Sequence, residues 1–215
     1  MIVLTIRIIF GLAMFILWPV QHFFSCLKNC IPRIIESYRQ DRAMGIDCTV
    51  CDDVQHTVMS PHRVISDTFD ALALSPDDVV VDLGCGTGRF ICMAARRGAR
   101  TNVGVESNSG WARRANKNAR HIARITGSDV KVIHGDARSL SDNNGTVYYL
   151  FNPFDKEVFI EVIASIKNSL TINPRRIRIV YAYPMYGYLI DSAGWLKKIQ
   201  MLKTDKFDVI IWESL

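Results

Sequence analysis

The sequence predicts an α/β chain built on a doubly wound, mostly parallel sheet of seven strands, and three observations predict it. From residue 79 onward short apolar runs alternate with stretches of helical period, the runs are apolar throughout, and a glycine-rich turn joins the first run to the first helix. Continuously apolar strands belong to a sheet covered on both faces, and strand-helix alternation makes that sheet parallel. At 215 residues, 49% hydrophobic and 22% charged, the chain holds one such core and one additional element, but no second full domain.

Taken in order, Ser60-Pro61 has the form of a helix start, a capping serine followed by a first-turn proline, and Val64, Ile65, Phe69, Leu72 and Leu74 give the helix an apolar face that ends near Ser75-Pro76. Strands follow at 79–83, 102–106, 130–134, 146–151 and 177–183, with helices at 88–98, 109–126 and 155–170 between them. A shorter helix or turn near 186–194 and apolar runs ending in FDVIIWESL give a closing antiparallel strand pair. The expected folded domain is therefore 62–215, preceded by a charged, turn-rich connector at 28–61.

The additional element is residues 1–27, read as a hydrophobic N-terminal helix. IIFGLAMFILWPV at 8–20 carries no charge, and Met1 to Val20 carries only Arg7. That is about the ~20 residues that cross a bilayer as a helix, with Arg7 near one end, where its side chain can reach the headgroups. Lys28, Arg33, Arg39 and Arg42 follow, so the positive-inside rule places everything beyond residue 28 in the cytoplasm. The expectation is a single-pass membrane anchor with a cytoplasmic catalytic domain. A cleaved signal peptide is the rival, but Trp18 and Pro19 stand where a small-x-small cleavage site belongs; a buried helix is the third reading.

Cys26, Cys30, Cys48 and Cys51 have a spacing near that of a four-thiolate zinc site, yet no glycine-rich knuckle surrounds either pair. They read as ordinary reduced thiols, and no metal is expected. Cys85 lies within the glycine turn, and Cys92 is one turn into the helix after it.

That turn is Asp82-Leu83-Gly84-Cys85-Gly86-Thr87-Gly88. Its glycines permit a tight turn and a close backbone approach to a ligand, and the helix start behind it presents free N–H groups. The spacing is G-x-G-x-G with an acid two residues ahead, which departs from the dinucleotide fingerprint. VVDLGCGTGR resembles the first motif of Rossmann-like class I methyltransferases. The resemblance implies that Gly84, Gly86 and Gly88 form the loop that holds S-adenosylmethionine by its amino-acid end, with Asp82 orienting the loop and the cofactor's ammonium group. Glu106, at the end of VGVE and 18 residues after Gly88, stands where a carboxylate accepts both ribose hydroxyls. Gly135-Asp136-Ala137 resembles the family position whose acid receives the adenine amino group. Three such acids, each at the carboxyl end of a successive strand, mark the edge where open α/β sheets bind ligands.

For the acceptor, VYYLF runs into Asn152-Pro153-Phe154-Asp155. This resembles the family's Asn/Asp-Pro-Pro-aromatic motif with one proline fewer, and implies that Asn152 and Phe154 hold a nitrogen nucleophile. The segment Leu150-Phe151-Asn152-Pro153-Phe154 is also similar to one that recurs in small bacterial methyltransferases of unassigned substrate, which share features with the non-SET lysine methyltransferases. Tyr181 and Tyr183 alternate on the fifth strand; core packing is expected of either, though one can face the pocket mouth. Asp155 is a candidate for accepting an amine proton.

Charge is concentrated between Thr87 and Thr126, where nine Lys or Arg residues stand against Glu106 alone. On GWARRANKNARHIARI the apolar residues Trp111, Ala112, Ala115, Ala119, Ile122 and Ala123 share one side, and Arg113, Arg114, Lys117, Arg120 and Arg124 lie elsewhere. With little aromatic interleaving, the helix suits an anionic membrane surface better than nucleic acid. The expected function is methylation of a nitrogen, a protein lysine in preference, near the membrane, with a phospholipid headgroup amine or a non-catalytic S-adenosylmethionine-binding module as alternatives.

Overall fold

The computed structural model describes residues 32, 35–48, 59–140 and 144–215. The expected anchor, with Cys26, Cys30 and Cys51, lies outside the described residues. Among those described, no helix is long and apolar enough to cross a membrane, and no cluster of three or more His, Cys, Asp or Glu side chains is arranged to hold a metal.

Seven strands form one mixed sheet in the order β3-β2-β1-β4-β5-β7-β6. They are β1 (Val79–Leu83), β2 (Thr101–Glu106), β3 (Asp129–His134), β4 (Val147–Phe151), β5 (Arg178–Ala182), β6 (Leu196–Lys203) and β7 (Asp208–Ser214). β1 to β5 pair in parallel, and β7 inserts antiparallel between β5 and β6. The order reverses at β1, where β2 lies on one side and β4 on the other, and such a switch point opens a crevice beyond the carboxyl ends of the strands.

Helices cover both faces, as the unbroken apolar strands require. On one face Val80, Val147, Tyr149 and Val180 meet α2 (His62–Leu72) and α3 (Arg89–Arg96), while Ala119, Ile122 and Val130 bring in α4 (Ser109–Thr126). On the other face Val81, Tyr148, Leu150 and Tyr181 pack against α5 (Lys156–Ile172), and α6 (Gly187–Asp191) adds Ile190. Strand neighbours such as Tyr148 and Tyr149 thus serve opposite layers, as a period of two dictates. The amino edge is clamped by Asp78, whose Oδ1 accepts from Arg178 at 2.5 Å and from Thr146 at 2.8 Å.

Two local expectations are corrected. Ser60 does not cap α2: Pro61 holds the cap position with no side-chain cap bond, and the Ser60 hydroxyl instead lies 2.6 Å from the Tyr149 hydroxyl. The fixed φ of Pro61 already orients the first turn, which leaves the serine free for a buried tyrosine that needs a partner. The stretch expected as a connector also contributes to the folded core. After α1 (helical through 35–44), Ile46 and Cys48 are buried against α3 and α4.

Polar contacts hold that stretch in place. Asp41, 1% exposed, accepts two bonds from the Arg89 guanidinium, at 3.0 and 2.6 Å, and lies 2.7 Å from His62 Nε2. Asn118 exchanges hydrogen bonds with the Asp47 backbone and donates to the Thr87 carbonyl, each at 2.9 Å. Removing one partner of a buried ion pair leaves an uncompensated charge, so Asp41→Ala is expected to cost about 3–5 kcal/mol. Denaturant unfolding of the full chain checks this, with Arg63→Ala, at an exposed pair to Asp67, as the near-neutral control.

Candidate active site

A cleft of about 960 Å³ opens at the carboxyl edge of the sheet, over the switch point. Asp82, Gly84, Gly86, Glu106, Asp136, Ala137, Asn152 and Phe154 all line it, together with Cys85 and Asp155. Gly88 is the exception. With φ of 85° it starts α3, and a Cβ there would sit 3.3 Å from Ala115 Cβ, so it serves the close approach of α3 to α4 and is not among the residues lining the cleft.

Gly84 sets how closely the two halves of the cleft meet. Its φ is 80°, and a Cβ built on it would lie 2.5 Å from Pro153 Cβ, so the glycine loop and the Asn152-Pro153-Phe154 turn touch only because that atom is missing. Gly86 also has a positive φ, of 55°, but nothing lies within 4 Å of its Cβ position, which leaves room for a ligand.

Glu106 is buried, and its two oxygens each accept a backbone N–H at 2.8 Å, one from Gly86 and the other from Asn108. A carboxylate oxygen has a second lone pair, so the pair of oxygens retains the capacity for two vicinal hydroxyls. Asp82 is 4% exposed, and burial pushes its carboxyl well above the usual range, with the nearby Glu106 charge adding to the shift. Asp136 stands at the cleft rim in a contrasting state. It starts the turn Ala137–Ser139, accepts Arg138 N–H at 2.9 Å and pairs with the Arg138 guanidinium at 2.6 Å, which lowers its pKa.

The acceptor end has unusual backbone. Asn152 and Tyr183 both have positive φ, 43° and 52°; asparagine tolerates this region, whereas a tyrosine there is strained by about 1–3 kcal/mol. Tyr181 donates from its hydroxyl to Asn152 Oδ1 at 2.7 Å, and Asn152 Nδ2 lies 3.2 Å from Met185 Sδ. These bonds set which end of the amide faces which neighbour. Burial pushes the Tyr181 phenol up to about 12, so it remains a donor. Tyr181 is in the core, as expected of it. Tyr183 is not: it is 49% exposed, lines the cleft and meets Phe207 edge-on, and Phe207 in turn meets Phe151 at 4.9 Å.

Several cleft residues had no sequence signal. Arg89, Trp111, Tyr149, Phe151, Lys206 and Phe207 line the cleft from four separate segments. Phe207 lies in the β6–β7 turn, and nothing in its neighbourhood distinguishes it from a core aromatic. Position alone marked Arg89, directly after the glycine turn.

With this fold and cleft, the chain carries an S-adenosylmethionine-dependent methyltransferase domain of class I. Residues 80–171, from β1 into α5, match the family model of the methyltransferase domain. The chain is 33% identical over 95 residues to a protein-lysine N-methyltransferase of Saccharolobus islandicus, an alignment covering 44% of this chain and 58% of that protein. It is 31% identical over 147 residues to a 23S rRNA (uracil(1939)-C(5))-methyltransferase of Xanthomonas euvesicatoria, covering 67% of this chain and 32% of that one. The chain therefore spans about a third to somewhat over half the length of these relatives. An RNA methyltransferase of Salinibacter ruber, solved with S-adenosyl-L-homocysteine, shares the fold with a TM-score of 0.56 at 22% identity, over 73% of this chain and 94% of that chain.

The raised carboxyl of Asp82 makes a pH-dependent cofactor affinity the expected result if the cofactor's ammonium group lies against it. An acid whose folded pKa is raised binds its proton more tightly in the folded state, so its contribution to stability is greatest at low pH and declines as pH rises from about 3.9 toward the raised value. A cation placed against Asp82 favours the carboxylate, so binding should release a proton and strengthen as pH rises, by up to about tenfold per unit. Calorimetry below pH ~7, where the cofactor's own α-amino group stays charged, in buffers of differing ionisation enthalpy should detect that proton. Asp82→Asn should abolish both the release and the slope.

Proposed function

We propose that this chain methylates a nitrogen, specifically the side-chain amine of a protein lysine, close to the cytoplasmic membrane surface. The observation that carries the reading is Asn152: its amide stands at the carboxyl end of β4, on a turn whose proline touches the glycine loop. The cofactor supplies an electrophilic methyl group on a sulfonium when bound. Glu106 would hold the ribose hydroxyls, Asp82 the ammonium end, and Asp136 with the Ala137 backbone the adenine edge. The cleft fits that set, with free lone pairs on Glu106 and open space above Gly86.

In-line transfer to an uncharged amine needs alignment more than acid-base chemistry. The amide carbonyl of Asn152, fixed by Tyr181, keeps one lone pair for an N–H of the incoming amine. Phe154, Tyr183 and Phe207 offer apolar walls to the lysine methylenes and ring faces to a cationic head.

Nitrogen is favoured over carbon on chemical grounds. Uracil C5 becomes nucleophilic only after another group adds to the ring, and a thiolate is the usual adder. Among the described residues Cys48, Cys85 and Cys92 are all buried, and burial raises each thiol, that of Cys48 to about 12. The relative of Saccharolobus islandicus, a protein-lysine N-methyltransferase by name, supports the same choice. Nucleic acid is disfavoured because the cations beside the acceptor end, Lys203 and Lys206, are accompanied by Asp205 and Asp208. The placement rests on residues 1–27 acting as the anchor, for the apolar run and flanking charges given above. Methylation of a phospholipid headgroup amine is a second reading, which the same apolar run favours.

The test uses the full chain with methyl-labelled cofactor and either lysate protein or lipid extract. Label in protein lysine is the expected result; label in organic extract selects the lipid reading, and binding without transfer the non-catalytic one. Charge-assisted hydrogen bonds contribute about 1.5–3 kcal/mol, so Glu106→Ala should weaken cofactor binding at least about tenfold. Asn152→Ala should lower turnover by about 10² while leaving cofactor affinity nearly constant. Equal losses of binding and turnover in Asn152→Ala would mean the amide only shapes the loop.

A further inference from the structure

The outer face of α4 carries four cations that neither the cofactor cleft nor the acceptor end uses. Arg113, Lys117, Arg120 and Arg124 are all exposed, and successive steps of four, three and four residues place them within an arc of about 60° along about 16 Å of helix. The buried residues of the helix, Ala112, Ala115, Asn118, Ala119 and Ile122, lie on the opposite side. The stripe therefore points straight away from the sheet. No carboxylate occurs on the helix, and none of the four cations makes an ion pair with a described residue. A solvated helix ordinarily mixes its signs; a single-sign stripe of this length creates a local field that attracts a polyanion.

We infer that this stripe is the surface by which the domain lies on an anionic lipid bilayer. This rests on the membrane placement proposed above and adds to it which face meets the lipid. Two observations favour lipid over nucleic acid. The segment that follows α1, about 20 residues beyond the apolar N-terminal run, packs on α4 itself: Asp47 bonds Asn118, and a Cβ on Gly45 would lie 2.2 Å from His121. A chain anchored through that run is tethered by way of the segment that packs on α4. In contrast, α4 packs on β2 and β3, whereas Tyr183, Lys206 and Phe207 of the acceptor end lie by β5 and β7, at the far side of the sheet. A polymer held on the stripe would meet the cleft on its Trp111 side, away from the acceptor end.

The orientation also bears on the acceptor. With the outer face of α4 on the lipid, the sheet lies parallel to the bilayer and its carboxyl edge opens sideways. A helix about 10 Å across then separates the sheet from the headgroups. A lysine on a neighbouring membrane-proximal protein reaches such an opening, whereas a lipid amine would have to leave the bilayer.

The experiment reconstitutes the full chain into vesicles of phosphatidylcholine alone or mixed with phosphatidylglycerol, and follows modification of Lys117 by an impermeant amine-reactive reagent. Lys167, exposed on α5 across the sheet, is the internal control. Phosphatidylglycerol should slow Lys117 modification about tenfold relative to Lys167, and high salt should restore it. The combined variant Arg113→Gln, Arg120→Gln, Arg124→Gln should lose that protection while retaining its unfolding temperature. Equal modification of Lys117 in the two kinds of vesicle would overturn the inference, as would protection by added RNA without protection by phosphatidylglycerol. If the chain fails to enter phosphatidylcholine vesicles, the anchor reading fails by itself. Recruitment and Lys117 protection by phosphatidylglycerol alone would still support the stripe, and neither would overturn it.

Discussion

The contact between Gly84 and Pro153 is the constraint on which the rest of the site depends. The loop after β1 and the turn after β4 leave adjacent parallel strands at the switch point, so their distance is governed by what the two turns carry. Removing one Cβ at Gly84 lets Pro153 close onto the loop, and this brings the glycine loop and the Asn152 amide to the edges of one cleft. A methyl transfer needs little else from a protein than this proximity. Asn152 and Tyr183, both at positive φ, line the same cleft, and of the two only the tyrosine is strained by it.

The electrostatics follow from that geometry. Two carboxylates, Asp82 and Glu106, are buried in neighbouring strands, but only Glu106 has backbone N–H donors on both oxygens. The environments are unequal: both Glu106 oxygens accept backbone N–H bonds, whereas burial and the neighbouring Glu106 raise the Asp82 carboxyl well above its usual range.

Behind the glycine loop, the chain at 41–48 acts as a brace. Asp41 grips Arg89 at the first residue of α3, and Asn118 ties Asp47 to Thr87 within the loop, so the cradle is supported from the side away from the ligand. The same segment leads upstream to the apolar N-terminal run and lies against the helix bearing the basic stripe.

The sequence by itself determined the features that repeat or that only one residue type permits. Unbroken apolar strands require a doubly covered sheet, and the strand pattern alone places Asp82 near the end of β1, Glu106 at the end of β2 and Asp136 after β3, all at the sheet's carboxyl edge. What the tertiary structure decided are relations between segments distant in the chain. Asp41 reads as one more exposed acid in a charged stretch until Arg89, 48 residues later, is folded against it. Gly88 reads as a ligand glycine, and only the fold reveals that it also permits the close approach of Ala115. Tyr183, Phe151 and Phe207 become one aromatic wall because β7 inserts beside β5. Local pattern reports which side chains must be buried; which buried or strained side chain meets which partner depends on loop closure across the whole sheet, and no short window of sequence contains it.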